Sequence, residues 1–217
     1  QRHRPLSCAP PGAERREGMA GRAVRREECG AMDGQAAVDW LLRSEEPAIR
    51  VLTRRDLLGE RSSPDDDEIL TGPKVQALLS GQQPDGGFGP DTYRKWTGAH
   101  WRLISLAELA APPTEPRIRA AAERVLTWLL NRGRYRGRAT VVDGLARVHA
   151  CIDGNALAAL CRLGFGTDER VRTVAESLIA WQWPDGGWNC DSKATGRRSS
   201  FHESLPTAWG LHEYAQV

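Results

Sequence analysis

The sequence predicts an all-α chain assembled from helical hairpins that repeat about every 50 residues. Three observations carry that expectation. From Gln35 onward apolar residues recur at helical spacing, and nothing reads as a strand. The segments EPRIRAAAERVLTWLL and DERVRTVAESLIAWQW align at an offset of 53, which superposes Arg117 on Arg170, Ala122 on Ala175 and Trp128 on Trp181. A glycine-rich turn occurs twice, 100 residues apart, in GQQPDGGFGPD (Gly81 to Asp91) and WQWPDGGWNCD (Trp181 to Asp191). Such a period marks stacked helical units that share one core.

The elements follow in order. QAAVDWLLRSEE places Val38, Leu41 and Leu42 on one helical face, and Pro47 suits the first turn of the next helix. That helix carries Ile49, Leu52 and the pair Leu57 and Leu58 on its apolar side. SSPDDDEIL starts another, with Ser63 as cap and acidic residues in its first turn. A second set of alignable helices is HWRLISLAELA, GNALAALCRLG and SLPTAWGLHEYA.

Each repeat is therefore a helix, a turn, a second helix and a closing turn. In the closing turn Pro184 stops the helix, Gly186 and Gly187 take positive φ, and Asp185 bonds the turn backbone. Gln182 is expected to satisfy carbonyls left open at the helix end, and Trp188 to pack back over the junction.

Charge and composition narrow the function classes. The first 31 residues have no hydrophobic periodicity, seven Arg and four Glu, and so carry +3. The chain's net charge is +2, which leaves the remaining residues at −1 and removes the electrostatic basis for nucleic-acid binding. No apolar run reaches the roughly 18 residues of a membrane span, and the N-terminal segment lacks the apolar stretch of a signal peptide. Five cysteines, an odd number, argue against a disulfide framework, and a cytoplasmic location is expected. Residues 1–31 read as sequence upstream of a start at Met32 or as a disordered extension; residues 32–217 read as the repeat domain.

The pattern QxxDGGW after a helix resembles the QW motif of squalene and oxidosqualene cyclases and of the related protein prenyltransferase β subunits. The likeness runs from about Leu70 to Tyr214, with a degenerate third copy at NRGRYRG. It implies an α/α toroid in which inner and outer helices alternate around a cavity, here a partial ring of about three to four hairpins. A partial ring exposes apolar faces, so the resemblance implies either a homodimer or further repeats. It also implies an isoprenoid (polyprenyl) substrate, cyclised or transferred. Two motifs of that chemistry, DxDD and DDxxD, are absent, and the run Asp65-Asp66-Asp67-Glu68 reads as a solvated helix start. The alternative is a non-catalytic helical-repeat module that binds a lipid or a protein.

Protein prenyltransferases hold zinc with Asp, Cys and His near the starts of inner helices. The matching places here hold His100, Asp153 and the pair His202 and Glu203, with Cys190 and Asp191 in the loop before the last helix. The resemblance thus points to zinc on Asp153, Cys190 and His202. Without zinc, a convergent site would leave His202 paired with Asp191 for acid–base work, since His titrates near neutral pH. Cys151-x-Asp153 reverses the family's order, and the competing expectation for Asp153, His202 and Glu203 is helix capping. Trp96, Trp101, Trp183, Trp188 and Trp209 either line an isoprenoid cavity or pack the core.

Overall fold

The computed structural model describes residues 34–62, 64 and 66–217. The expectations about residues 1–31, Met32 and the Ser63 cap lie outside the described residues. Those described are mostly helical, as the periodicity predicts. Among them no helix is long and apolar enough to cross a membrane.

Helix α1 (Gly34–Leu42) leads into α2 (Pro47–Leu57), which opens on Pro47 as expected. Its buried stripe runs through Ala48 and Val51 and then runs out. Leu57 and Leu58, expected on the apolar side, are exposed. The acidic segment Asp66–Thr71 forms a 3₁₀ turn rather than an α-helix, because Gly72 and Pro73 begin a new helix, α3 (Pro73–Leu79). A carboxylate oxygen of buried Glu46 accepts from the Lys74 amide (2.8 Å) at that start.

The rest of the chain builds two layers. Helices α4 (Ala99–Glu108), α6 (Ala150–Leu160) and α8 (Phe201–Tyr214) pack in sequence, α4 on α6 and α6 on α8. Helices α5 (Pro116–Leu130) and α7 (Glu169–Ala180) pack on each other and back onto that row. Ala122 and Ala175, which the repeat superposes, are both fully buried. Leu126 is also fully buried, whereas its counterpart Ile179 is 59% exposed, since no further helix among the described residues covers that side of α7. The contact between α6 and α8 is the closest. A Cβ on Gly154 would lie 2.5 Å from the Cα of Thr207, so the backbones meet where glycine leaves room.

The two QW-type turns share one hydrogen-bond pattern. Gln83 and Trp183 donate their amides to the carbonyls of Gly87 and Gly187 (2.8 Å each), and the Gly86 and Gly186 amides return to Gln83 and Trp183 (2.9 Å each). Gly86 (φ 80°) and Gly186 (φ 90°) take the positive φ that closes the turn; Gly87 and Gly187 do not need it. The glutamines brace the turn itself, since Gln82 and Gln182 donate to Gly86 and Gly186. The open helix-end carbonyl expected of Gln182 goes instead to Trp188, whose indole Nε1 donates to Leu178 of α7 (2.8 Å). The turn then staples the next helix: the Trp188 amide donates to Ser204 Oγ of α8 (3.1 Å), and Asp185 accepts from Ser199 (2.8 Å).

Two expectations fail between α5 and α6. The stretch NRGRYRG is not a third copy of the turn but a 3₁₀ turn over Gly133–Arg136. After it comes a hairpin of two strands, β1 (Thr140–Val142) and β2 (Leu145–Arg147), with Val142 opposite Leu145. Asp143 (φ 52°) and Gly144 (φ 76°) form its two-residue turn with both residues left-handed, the geometry that Asp-Gly favours. Helical periodicity hid this short extended piece.

Candidate metal centre

Three segments converge where α6 begins. Strand β2 runs through Val148 into His149, the residue preceding α6. The loop leaving the second QW turn forms a single parallel bridge between Asn189 and Arg147, which brings Cys190 alongside. Helix α8 contributes Glu203 from its first turn. Glu203 is buried, and its Oε2 accepts from the Cys151 amide (2.9 Å), an acceptor placed where a helix N-terminus favours negative charge. The same bond fixes the starts of α6 and α8 at one end of the row.

His149 Nδ1 lies 3.9 Å from Glu203 Oε1. One ligand atom from each of His149, Cys190 and Glu203 lies within 4.8 Å of the others, the one such trio among the described residues. A tetrahedral zinc with bonds of about 2.0–2.3 Å holds its ligand atoms about 3.5 Å apart. Small rotamer changes close that difference, so the donor set fits zinc. Burial and the Glu203 carboxylate push the Cys190 thiol up to about 11, and the same two causes push Cys151 up to about 12. Both thiols are therefore neutral at pH 7 until a cation draws off a proton. His149 is exposed and Cys190 half-buried, so the trio is open on one side.

The residues predicted from sequence separate. Cys190 is in the trio. Asp153 is fully buried with both oxygens held by Arg134, Nε to Oδ2 at 2.7 Å and Nη2 to Oδ1, and it is not among the three residues that converge. Burial pushes its carboxyl up, against the pull of Arg134. His202 is exposed while its neighbour Glu203 is buried, as the 100° step between helical residues requires. Asp191 is exposed and accepts from the Lys193 amide (3.0 Å), shaping its own loop. His149 was not foreseen, because it directly follows the hairpin that the helical reading missed.

His100 opens α4 as expected but faces the core. It is 1% exposed, and neither ring nitrogen has a hydrogen-bond partner. Tyr93, Trp101 and Trp128 surround it at 5.1–5.7 Å between ring centres. Burial, with a smaller push from Arg132, lowers its pKa to about 3. The folded state thus resists a proton that the unfolded chain takes up below about pH 6.5. His100 costs no stability from this source above that pH, and about 1.4 kcal/mol is lost per pH unit from there down to about pH 3. A His100→Phe variant is expected to resist acid better than the parent over that window. Parallel urea titrations at pH 7, 5 and 4 check this, and an unchanged difference between the two proteins refutes it.

The tryptophans divide as well. Trp183 and Trp188 are buried, and Trp183 donates to Ala146 (2.7 Å), tying the second turn to the hairpin. Trp209 borders a cleft of about 540 Å³ lined by Ile104 and Glu108 of α4, Asn155 of α6, and Leu205 and Pro206 of α8. Its size suits a small organic ligand. No protein-family model matches the chain, and neither does any curated protein or solved structure.

Proposed function

We propose that this chain is a squalene-cyclase/prenyltransferase-like repeat domain that handles an isoprenoid (polyprenyl) ligand, with a zinc ion on His149, Cys190 and Glu203 as its chemical centre. The trio carries the reading, because a thiol, an imidazole and a carboxylate within 4.8 Å are the donors zinc prefers. In this reading α4, α6 and α8 are the inner helices of a partial toroid, α5 and α7 are outer ones, and the cleft beside Trp209 receives the isoprenoid chain.

Glu203, held by the Cys151 amide, would give the ion a rigid ligand, with His149 from the residue before α6 and Cys190 from a loop as the other two. When bound, zinc at a three-ligand site supplies Lewis acidity at its open position. The second reading, a non-catalytic lipid- or protein-binding module, is favoured by one observation. Phe201 and Leu205 of α8 are large, apolar and exposed, as on a docking face.

Metal analysis tests the zinc centre. The purified chain, equilibrated with zinc and desalted, is expected to retain one ion per chain. Cys190→Ser and Glu203→Gln should lose it, whereas His202→Ala and Asp191→Asn should keep it. A wild-type chain that retains no zinc, or a Cys190→Ser variant that retains all of it, sinks the proposal. Polyprenol binding followed by tryptophan fluorescence tests the cleft, and Leu205→Glu should abolish it. Binding without turnover in the zinc-loaded protein selects the second reading.

A further inference from the structure

The loop that joins the second QW turn to α8 contributes Cys190 to the metal trio and then runs into RRSSF, Arg197 to Phe201. Two arginines stand three and two residues before Ser200, and a large apolar residue directly follows it. Arginine-directed serine kinases choose their acceptors by this pattern. Acidic pockets on the kinase take the two arginines, and an apolar one takes the residue after the serine. Among the described residues no other serine or threonine has arginines at both of those positions.

The fold presents each part of the pattern at the surface. The Arg197 side chain is 78% exposed, and its ion pair with Asp143 is long (3.8 Å) and solvated, so it restrains the side chain weakly. Arg198 is exposed and forms no ion pair among the described residues. Phe201 is 79% exposed, which leaves its ring available to a partner. Ser200 is half-buried at the N-cap of α8, yet its hydroxyl makes no capping bond. Ser204, one turn on, is already engaged: its hydroxyl accepts from the Trp188 amide and donates to the Ser200 carbonyl (2.7 Å). To enter a kinase cleft, Ser200 must release its amide bond to Trp188 (2.7 Å) and the first turn of α8 must open. Openings at helix ends are among the least costly in a fold.

We propose that Ser200 is a phosphorylation site for an arginine-directed serine kinase. The Ser200 oxygen attacks the γ-phosphorus of ATP. The new O–P bond forms as the bond to the bridging oxygen breaks, ADP leaves, and the hydroxyl proton passes to the catalytic base of the kinase. The product carries about two negative charges at the first turn of α8, where such charge is favoured. The His202 and Glu203 amides are within reach of a capping group at Ser200, so the phosphate firms the helix start that carries Glu203. The site depends on the loop alone and stands whether or not zinc is bound.

Treating the folded full chain with magnesium ATP and the catalytic subunit of cyclic-AMP-dependent protein kinase tests this, read by intact mass and peptide fragmentation. One phosphate per chain, on Ser200, is expected. Ser200→Ala should take up none. Arg197→Gln and Arg198→Gln, both at exposed positions where folding is not at stake, should each lower kcat/KM about tenfold, the effect of losing one charge-assisted contact. No incorporation, phosphate on another residue with Ser200 unmodified, or a rate that both arginine variants leave unchanged overturns the proposal. So does incorporation only into the urea-unfolded chain, since the loop would then be out of reach in the native fold. An acid-directed casein kinase should leave Ser200 unmodified, and equal modification by the two enzymes overturns the arginine-directed class. The phosphorylated chain should melt about 2–4 °C above the untreated one. Equal or lower melting overturns the capping effect.

Discussion

Arg134→Ala is expected to destabilise the chain by about 3–5 kcal/mol, the cost of stripping one partner from a buried ion pair. Asp153 has no solvent exposure, and Arg134 grips both of its oxygens from the turn that follows α5. Alanine leaves the carboxylate either ionised in a dry site or protonated against its ordinary preference. For a chain of this size the melting temperature should fall by about 10 °C or more. The double variant Arg134→Met with Asp153→Leu should recover most of the loss, because apolar replacements remove both desolvation penalties. Melting within 2 °C of the parent for Arg134→Ala would show that Asp153 finds another partner.

Trp188→Ala should cost a similar amount, about 3–5 kcal/mol, by opening a large cavity. The ring is 3% exposed and lies where α7 ends, while the residue's own backbone ties the turn to the start of α8. Its carbonyl accepts from the Ser200 amide (2.7 Å) there. Trp188→Phe keeps most of the packing and leaves the Leu178 carbonyl without its indole donor, at a smaller cost of about 1–3 kcal/mol. Urea denaturation of the three proteins ranks them. Equal stability of the alanine variant and the parent would remove the structural role assigned to this residue.

Several features with a local cause were legible in the sequence. Pro47 begins α2, Gly86 and Gly186 close matching turns, and the 53-residue offset superposes Ala122 on Ala175, both fully buried in helices that pack on each other. The Asp143-Gly144 pair was an equally local hairpin signal, but strands of three residues are too short to break a helical pattern by themselves. The starts of α4, α6 and α8 also fall where the repeat predicts, at His100, Asp153 and His202 to within three residues.

Which of these polar residues meet was decided only by tertiary packing. His149, Cys190 and Glu203 come from a strand end, a loop and a helix, and no spacing along the chain relates them. They converge because β2 pairs with Asn189 and because Gly154 lets α8 lie close against α6. A rotation of 100° along α8 puts Glu203 into that junction and His202 outside it. Asp153 lies at the same end, yet Arg134 takes both its oxygens, since a buried carboxylate binds the nearest guanidinium. Sequence by itself determined that the described residues are mostly helical and where two matching glycine turns fall. The partner of each polar side chain was left to the fold, because it depends on distances and rotamers between segments that the chain brings together only when the core closes.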